Sequence, residues 1–244
     1  MMLKTAIEWT ADLVMPRHCR MCHKPLMGAE PLLCSSCETL VSRYASKGDA
    51  DGLVARLFWG IAPVRRAGIM FEYMSNLPVT DLLADIKYRG HAPVARRLGR
   101  MLGSCYQPRH FFEGIDLIVP VPLAAGRLRE RGFNQSQEIA LGVSEITSIP
   151  VDCKSVVRIV DNVTQTHLTV GERLQNVLDI FAVSRADALA GKHILVIDDV
   201  ITSGATVGSL LRCISQAVPD STFSVLALGR GGVNSELHIL PNRL

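Results

Sequence analysis

The chain is 244 residues long, 48% hydrophobic and 20% charged, a composition that excludes a disordered protein and supplies a sizeable core. Its net charge of +3 is too small to select a partner, and no apolar run reaches the ~18 residues that a membrane helix requires. Glu8 and Asp12 interrupt the one apolar stretch near the start, so no secretory signal is read there, and a cytoplasmic chain without membrane insertion is expected.

Lys4 to Val14 is weakly amphipathic and Pro16 ends it, which predicts a short helix packed as a lid or flank. Seven cysteines in a cytoplasmic protein argue against a disulfide framework and ask for another use. Four of them supply it: Cys19 and Cys22 form one C-x-x-C knuckle and, eleven residues on, Cys34 and Cys37 form a second. Two knuckles of two thiolates close a tetrahedron of soft ligands, so a structural Zn2+ site with no open catalytic position is expected. His18 and His23 flank the first knuckle and are read as surface residues. Residues 1–45 are therefore taken as the N-terminal helix and zinc module. The polar stretch with Ser46, Gly48, Asp49, Asp51 and Gly52 is taken as a linker over 46–63.

A single domain is expected over 64–244. It opens with a strand at Arg66 to Phe71, followed by helices around Leu82, Leu83 and Ile86 and around Leu98, Met101 and Leu102. Lys87, at the end of the first helix, either reaches a phosphate or complements the helix dipole. Ile115 to Val121 is another apolar strand, which must stop at Pro120 because proline cannot donate to a ladder. The V-P-V-P-L loop and its sequel carry Arg127, Arg129 and Arg131. Guanidinium groups converging there make a diphosphate clamp, unless they are simply exposed arginines without a ligand. Between Asp85 and Arg131 stand nine Lys or Arg against four acids, a basic segment suited to an anionic partner or to a solvated helix face. Further strands are predicted at Val151 to Val157, Phe181 to Val183 and Thr222 to Leu228, while Cys105, Cys153 and Cys213 read as small core residues.

The stretch from His193 to Leu211 organises the rest. Ile194 to Ile197 predict a strand buried on both faces, broken by Asp198 and Asp199. A turn of small and hydroxylated residues follows, Thr202, Ser203, Gly204, Ala205 and Thr206, and then Val207, Leu210, Leu211 and Ile214 at helical spacing. A strand's carboxyl end running into a helix's amino end is where open α/β sheets bind ligands. Helix-initial N–H groups, the freedom of Gly204 and three hydroxyls suit a monophosphate. The two carboxylates accept from vicinal hydroxyls and can help hold a divalent cation. Together they describe a sugar phosphate held by a parallel α/β sheet with helices on both faces.

This strand, acid pair and T-S-G-A-T turn resemble the phosphoribosyl diphosphate (PRPP) motif of type I phosphoribosyltransferases. P-V-P-L followed by R-L-R-E-R-G-F-N-Q, after a four-cysteine module, resembles the ComF family over nearly the whole chain. The resemblance implies a type I phosphoribosyltransferase fold. It gives Asp198 and Asp199 the catalytic place at the ribose hydroxyls, Thr202 to Thr206 the 5-phosphate, and Pro122, Leu123, Arg127 and Arg131 the diphosphate loop. Arg158, Gln165 and Arg173 match the mobile loop, as does Asn176, with Mg2+ bridging the diphosphate. Thr166, His167 and Leu168 depart from that pattern by adding no basic residue after Gln165.

The physiology the family implies is natural transformation: handling of internalised single-stranded DNA, alongside proteins of the competence machinery. The alternative is a metabolic phosphoribosyltransferase acting on a base or amine, although no general base for an acceptor is visible. Only 5% of residues are aromatic, and Phe111, Phe112 and Phe133 are the ones near basic positions, a thin basis for base stacking.

Overall fold

The computed structural model describes residues 17–26, 32–40, 52–72, 82–83, 86, 91–160 and 180–231. The predicted N-terminal helix, Lys87, Gln165, Arg173 and Asn176 lie outside them. A short helix α1 (Leu53–Arg56) leads to β1 (Val64–Glu72), and α2 (Ala92–Tyr106) carries the chain to β2 (Leu117–Pro120). Next come α3 (Ala125–Arg131), α4 (Gln135–Thr147), and the strands β3 (Val156–Arg158) and β4 (Phe181–Val183). Among the described residues the series ends with β5 (His193–Ile201), α5 (Ala205–Ala217) and β6 (Thr222–Arg230).

Four strands form a parallel sheet in the order β1-β6-β5-β2, while β3 and β4 make a separate antiparallel ribbon. Parallel strands covered on both faces read as unbroken apolar runs, and period-two alternation then deals their side chains to two cores. Leu195, Ile197, Leu226 and Leu228 enter one core, and Ile194, Val196, Phe223, Val225 and Ala227 enter the other. The predicted fold class, a parallel α/β sheet preceded by a four-cysteine module, is the observed one.

Helices α2 and α4 cover the first face, with Leu98, Leu102, Ile139 and Val143 buried between them and the sheet. They cross in backbone contact: a Cβ on Gly99 would overlap the carbonyl oxygen of Ile139, and one on Gly142 that of Arg96. The ion pairs Arg96–Glu138 at 2.9 Å and Arg100–Glu145 at 3.2 Å lie along the same helix pair. They neutralise part of the basic segment counted in the sequence. Cys19, Met21, Leu26, Leu32, Leu33 and Cys37 join this core, so the cysteine module is packed on it. The other face is covered by α5 through Val207, Leu210, Leu211 and Ile214.

Several elements differ from expectation. Arg127, Arg129 and Arg131 lie on helix α3, not on a loop; α3 buries none of its residues, so it lacks the apolar stripe that marks a helix in sequence. The strand expected from Val151 to Val157 is interrupted. Val151 makes a single parallel bridge to Ile118, and then the Asp152 carboxylate accepts from the N–H groups of Lys154 (2.7 Å) and Ser155 (2.9 Å), turning the chain before β3. Cys153 on that turn is exposed, whereas Cys105 and Cys213 are half-buried. Within the stretch assigned to a linker, Val54 and Phe58 are buried in the second core. Among the described residues, no helix is long and apolar enough to cross a membrane.

Candidate functional site

The chain leaves β2 and β5 in opposite senses. From β2 it passes through α4 to Val151, which bridges Ile118 on the side of β2 away from β5. From β5 it passes through α5 to β6, on the other side. The two helices therefore lie on opposite faces, and the carboxyl ends of β2 and β5 form a topological switch point, where such sheets take ligands. The acid pair lies at this end of β5, and the P-V-P-L stretch and the start of α4 follow β2.

Asp198 and Asp199 interrupt the alternation of β5. Leu195 and Ile197 share a core with Val200, and Ile194 and Val196 share the other with Ile201, so the side-chain phase reverses across the two acids. Each carboxylate accepts from the next N–H along the strand: Asp198 Oδ1 from Asp199 at 2.9 Å, and Asp199 Oδ1 from Val200 at 2.7 Å. Asp198 is 9% exposed and its Oδ1 also accepts from Ser136 Oγ at 3.0 Å. Asp199 is half-buried, the more open of the two carboxylates.

Ser136 belongs to a chain of hydrogen bonds that joins the start of α4 to the end of β2. The N–H of Val121 donates to Ile197 O at 2.9 Å, closing the end of β2 on β5. Asn134 Nδ2 donates to Val121 O at 3.0 Å, and Asn134 Oδ1 caps α4 by accepting from the N–H of Ser136 at 3.0 Å. Arg131 Nη1 donates to Gln135 Oε1 at 3.2 Å, and Gln135 Nε2 to Ile86 O at 3.4 Å. The R-G-F-N-Q-S stretch and the acid pair, 62 residues apart between Ser136 and Asp198, are thus one assembly. Sequence reasoning passed over Ser136; the available signal was a capping asparagine followed by a small hydroxyl at the head of an amphipathic helix.

The turn after β5 is built as its residues suggest. Gly204 caps α5 with φ of 77°, a left-handed conformation that favours glycine. The positions of Thr202, Ser203, Ala205 and Thr206 are exposed, and Gly204 is buried. Ser203 Oγ accepts from the N–H of Ala205 at 3.4 Å. The helix ladder begins only with Gly208 N–H to Gly204 O at 2.7 Å, so the first N–H groups of α5 lack an intrahelical acceptor and carry the positive pole of the helix. Pro122 and Leu123 are half-buried just past β2, Arg131 is half-buried and Arg127 exposed on α3. Arg158 lies elsewhere, on the ribbon. Its Nε donates to Val160 O at 3.2 Å and its guanidinium stands 5.8 Å from the Phe181 ring centre.

The four cysteines gather, with all Sγ atoms within 4.8 Å of one another. Zn–S bonds of about 2.3 Å place the sulfurs of a tetrahedral site about 3.8 Å apart. Cys22 and Cys34 Sγ are 3.7 Å apart, so the four thiols can hold a zinc ion. The N–H of Arg20 donates to Leu32 O at 3.0 Å, tying the knuckles together, and the N–H of Cys34 donates to Cys19 Sγ at 3.3 Å. Burial raises the Cys19 thiol, but the N–H groups of Cys34, Cys22 and Met21 outweigh it and bring it down to about 7. Burial and the neighbouring sulfurs push Cys37 up, disfavouring a thiolate that a bound cation would stabilise. His18 and His23 are exposed and outside the group.

No protein-family model matches the chain. It is 27% identical over 213 residues to the DNA utilization protein YhgH of Salmonella typhi, covering 83% of this chain and 92% of that protein. It is 28% identical over 142 residues to competence protein F of Haemophilus influenzae (56% of this chain, 62% of the relative). With competence protein ComFC of Bacillus subtilis it shares 27% identity over 161 residues (63% and 62%). The chain is a homologue of these competence and DNA-utilization proteins. Among solved structures, this chain is similar to the B. subtilis glutamine PRPP amidotransferase complexed with ADP and GMP, at 17% identity and a TM-score of 0.40. That match covers 59% of this chain and only 30% of that one. A second, the HGPRT-ase of Leishmania tarentolae in complex with GMP, has 15% identity, a TM-score of 0.30 and coverage of 61% and 71%.

Proposed function

We propose that this protein handles internalised single-stranded DNA during natural transformation, in the cytoplasm, on a phosphoribosyltransferase scaffold that binds PRPP with Mg2+. The observation that carries the PRPP half is the Ser136–Asp198 hydrogen bond, which holds the acid pair against the capped start of α4. In this reading Asp199 takes the ribose hydroxyls, Asp198 keeps it in place, and the turn from Thr202 to Thr206 takes the 5-phosphate. Arg127 on α3 meets the diphosphate, with Arg131 beside it fixed by Gln135. Mg2+, when bound, neutralises the diphosphate, and zinc in the cysteine module is structural. The names of the relatives support the DNA half.

Titration calorimetry of PRPP with Mg2+ against wild type and the Asp198→Ala/Asp199→Ala double variant tests the first half. Saturable heat in the wild type and none in the variant is expected; equal binding by both overturns it. A strain without the gene should take DNA up yet integrate it poorly, and unimpaired transformation overturns the second half.

A further inference from the structure

Residues 52–62 form a compact stack of turns. The N–H groups of Leu57, Phe58 and Trp59 donate to the carbonyls of Val54, Ala55 and Arg56 at 3.2, 3.1 and 3.2 Å, and Ile61 donates to Phe58 at 3.0 Å. Gly52 and Gly60, with φ of 65° and 74°, bracket the stack. Its inner side is anchored by buried Val54 and Phe58. That side rides on the head of α5: a Cβ on Gly204 would stand 3.2 Å from Leu57 Cβ and 3.3 Å from Phe58 Cε1, and one on Gly208 3.2 Å from Ile61 Cδ1.

The outer side presents Trp59, 73% exposed, with the Arg56 guanidinium 5.6 Å from its ring centre. Trp59 is the only exposed aromatic among the described residues. The aromatics that the sequence placed near basic positions are spent elsewhere, Phe111 being buried in edge contacts with Tyr106 at 5.0 Å and Phe112 at 5.4 Å.

An indole left this open does nothing for the core, and exposed Arg56 and Gly60 around it interrupt any apolar patch of the kind that docks a protein. With the guanidinium over one face, the indole offers its other face next to a cation, the pairing that holds single-stranded nucleic acid by stacking a base and meeting its phosphate. We infer that Arg56 and Trp59 form a base-stacking step for single-stranded DNA, the indole taking a base and the guanidinium the adjoining phosphate. The step rests on the DNA-handling reading and gives that reading a place on the molecule, one residue from the ring that underlies Gly204.

The test is anisotropy of a labelled oligothymidylate titrated with the zinc-loaded full chain. Trp59→Ala should weaken binding by about 5- to 150-fold, the range of one lost stacking contact, and Trp59→Phe should restore most of it. Arg56→Gln should weaken binding and flatten its salt dependence by about one released counterion. In Trp9→Phe, where Trp59 is the sole tryptophan, its fluorescence should be quenched at the same concentrations. A duplex of the same length should bind less tightly, since its bases are already stacked. Wild-type affinity in Trp59→Ala overturns the stacking step while leaving the DNA-handling reading standing. A wild type that binds no single strand overturns both. PRPP titration of Trp59→Ala, expected to match wild type, reports that the variant is folded.

Discussion

Replacing Ser136 with alanine removes one donor from a carboxylate that is 9% exposed. A hydrogen bond to a charged group contributes about 1.5–3 kcal/mol, and a buried acceptor deprived of its donor loses stability at the upper part of that scale. Asp198 keeps the N–H of Asp199, which places the expected loss near 2 kcal/mol, about a 30-fold change in the folding equilibrium. For a domain of this size that lowers Tm by about 4–8 °C. Urea unfolding followed by circular dichroism should show the midpoint falling with the slope unchanged, because the surface exposed on unfolding is the same. PRPP affinity should fall alongside, since the carboxylate pair loses its tether to α4, and Ser136→Thr should recover part of both effects. Unchanged stability together with unchanged PRPP affinity in Ser136→Ala would refute the claim that this contact organises the site.

Other sites give independent checks. Chelation of zinc, or Cys22→Ser, should abolish metal measured by elemental analysis and lower Tm, because Cys19 and Cys37 pack in the same core as α2 and α4; an unchanged Tm after complete metal loss counts against a structural role. Gly142→Ala puts a methyl group on the carbonyl of Arg96 and should destabilise by at least about 1–3 kcal/mol as α2 and α4 are forced apart, whereas wild-type stability would contradict the backbone contact. His193 is buried with Nε2 2.9 Å from Ser224 Oγ, and burial, aided by Arg66 and Arg65, lowers its pKa from the usual 6.5. The unfolded chain therefore takes up a proton that the folded one resists, so stability should fall as pH drops below 6.5. His193→Gln should flatten that slope, and an unaltered slope assigns it to other groups.

The elements legible in the sequence are those whose local pattern and tertiary environment agree. The apolar run of β5, the periodicity of α5 and the stop at Pro120 each carry their own signal, as do the paired knuckles of the cysteine module. Where the signal is silent or shared, the structure differs. Helix α3 buries nothing and ends on Gly132 with φ of 78°, so its C-terminal glycine was the one mark of a helix in a stretch dominated by arginines and prolines. Val151, Val156 and Val157 look like one strand, yet the Asp152 carboxylate satisfies two backbone donors and turns the chain between them. Trp59 was hidden in a stretch read as a linker from its polar residues, although Arg56 three positions earlier is the spacing at which a helical turn brings a cation to a ring.

The division of work between the two acids follows from the same kind of tertiary fact. In sequence Asp198 and Asp199 are equivalent neighbours at a strand end, and strict alternation would send them to opposite faces. The observed phase reversal, with each carboxylate accepting from the following N–H, buries Asp198 under Ser136 and leaves Asp199 half-open. A carboxylate only 9% exposed and held through Oδ1 by Ser136 and the N–H of Asp199 presents little surface to a sugar hydroxyl, and its charge is better suited to fixing the strand end than to meeting a ligand. Single substitutions therefore should not be equivalent: Asp199→Asn should weaken PRPP binding with little change in Tm, while Asp198→Asn should lower Tm first and binding through it. Calorimetry and thermal melts on the two variants distinguish the roles, and identical behaviour of the pair would mean that their difference in burial has no such consequence.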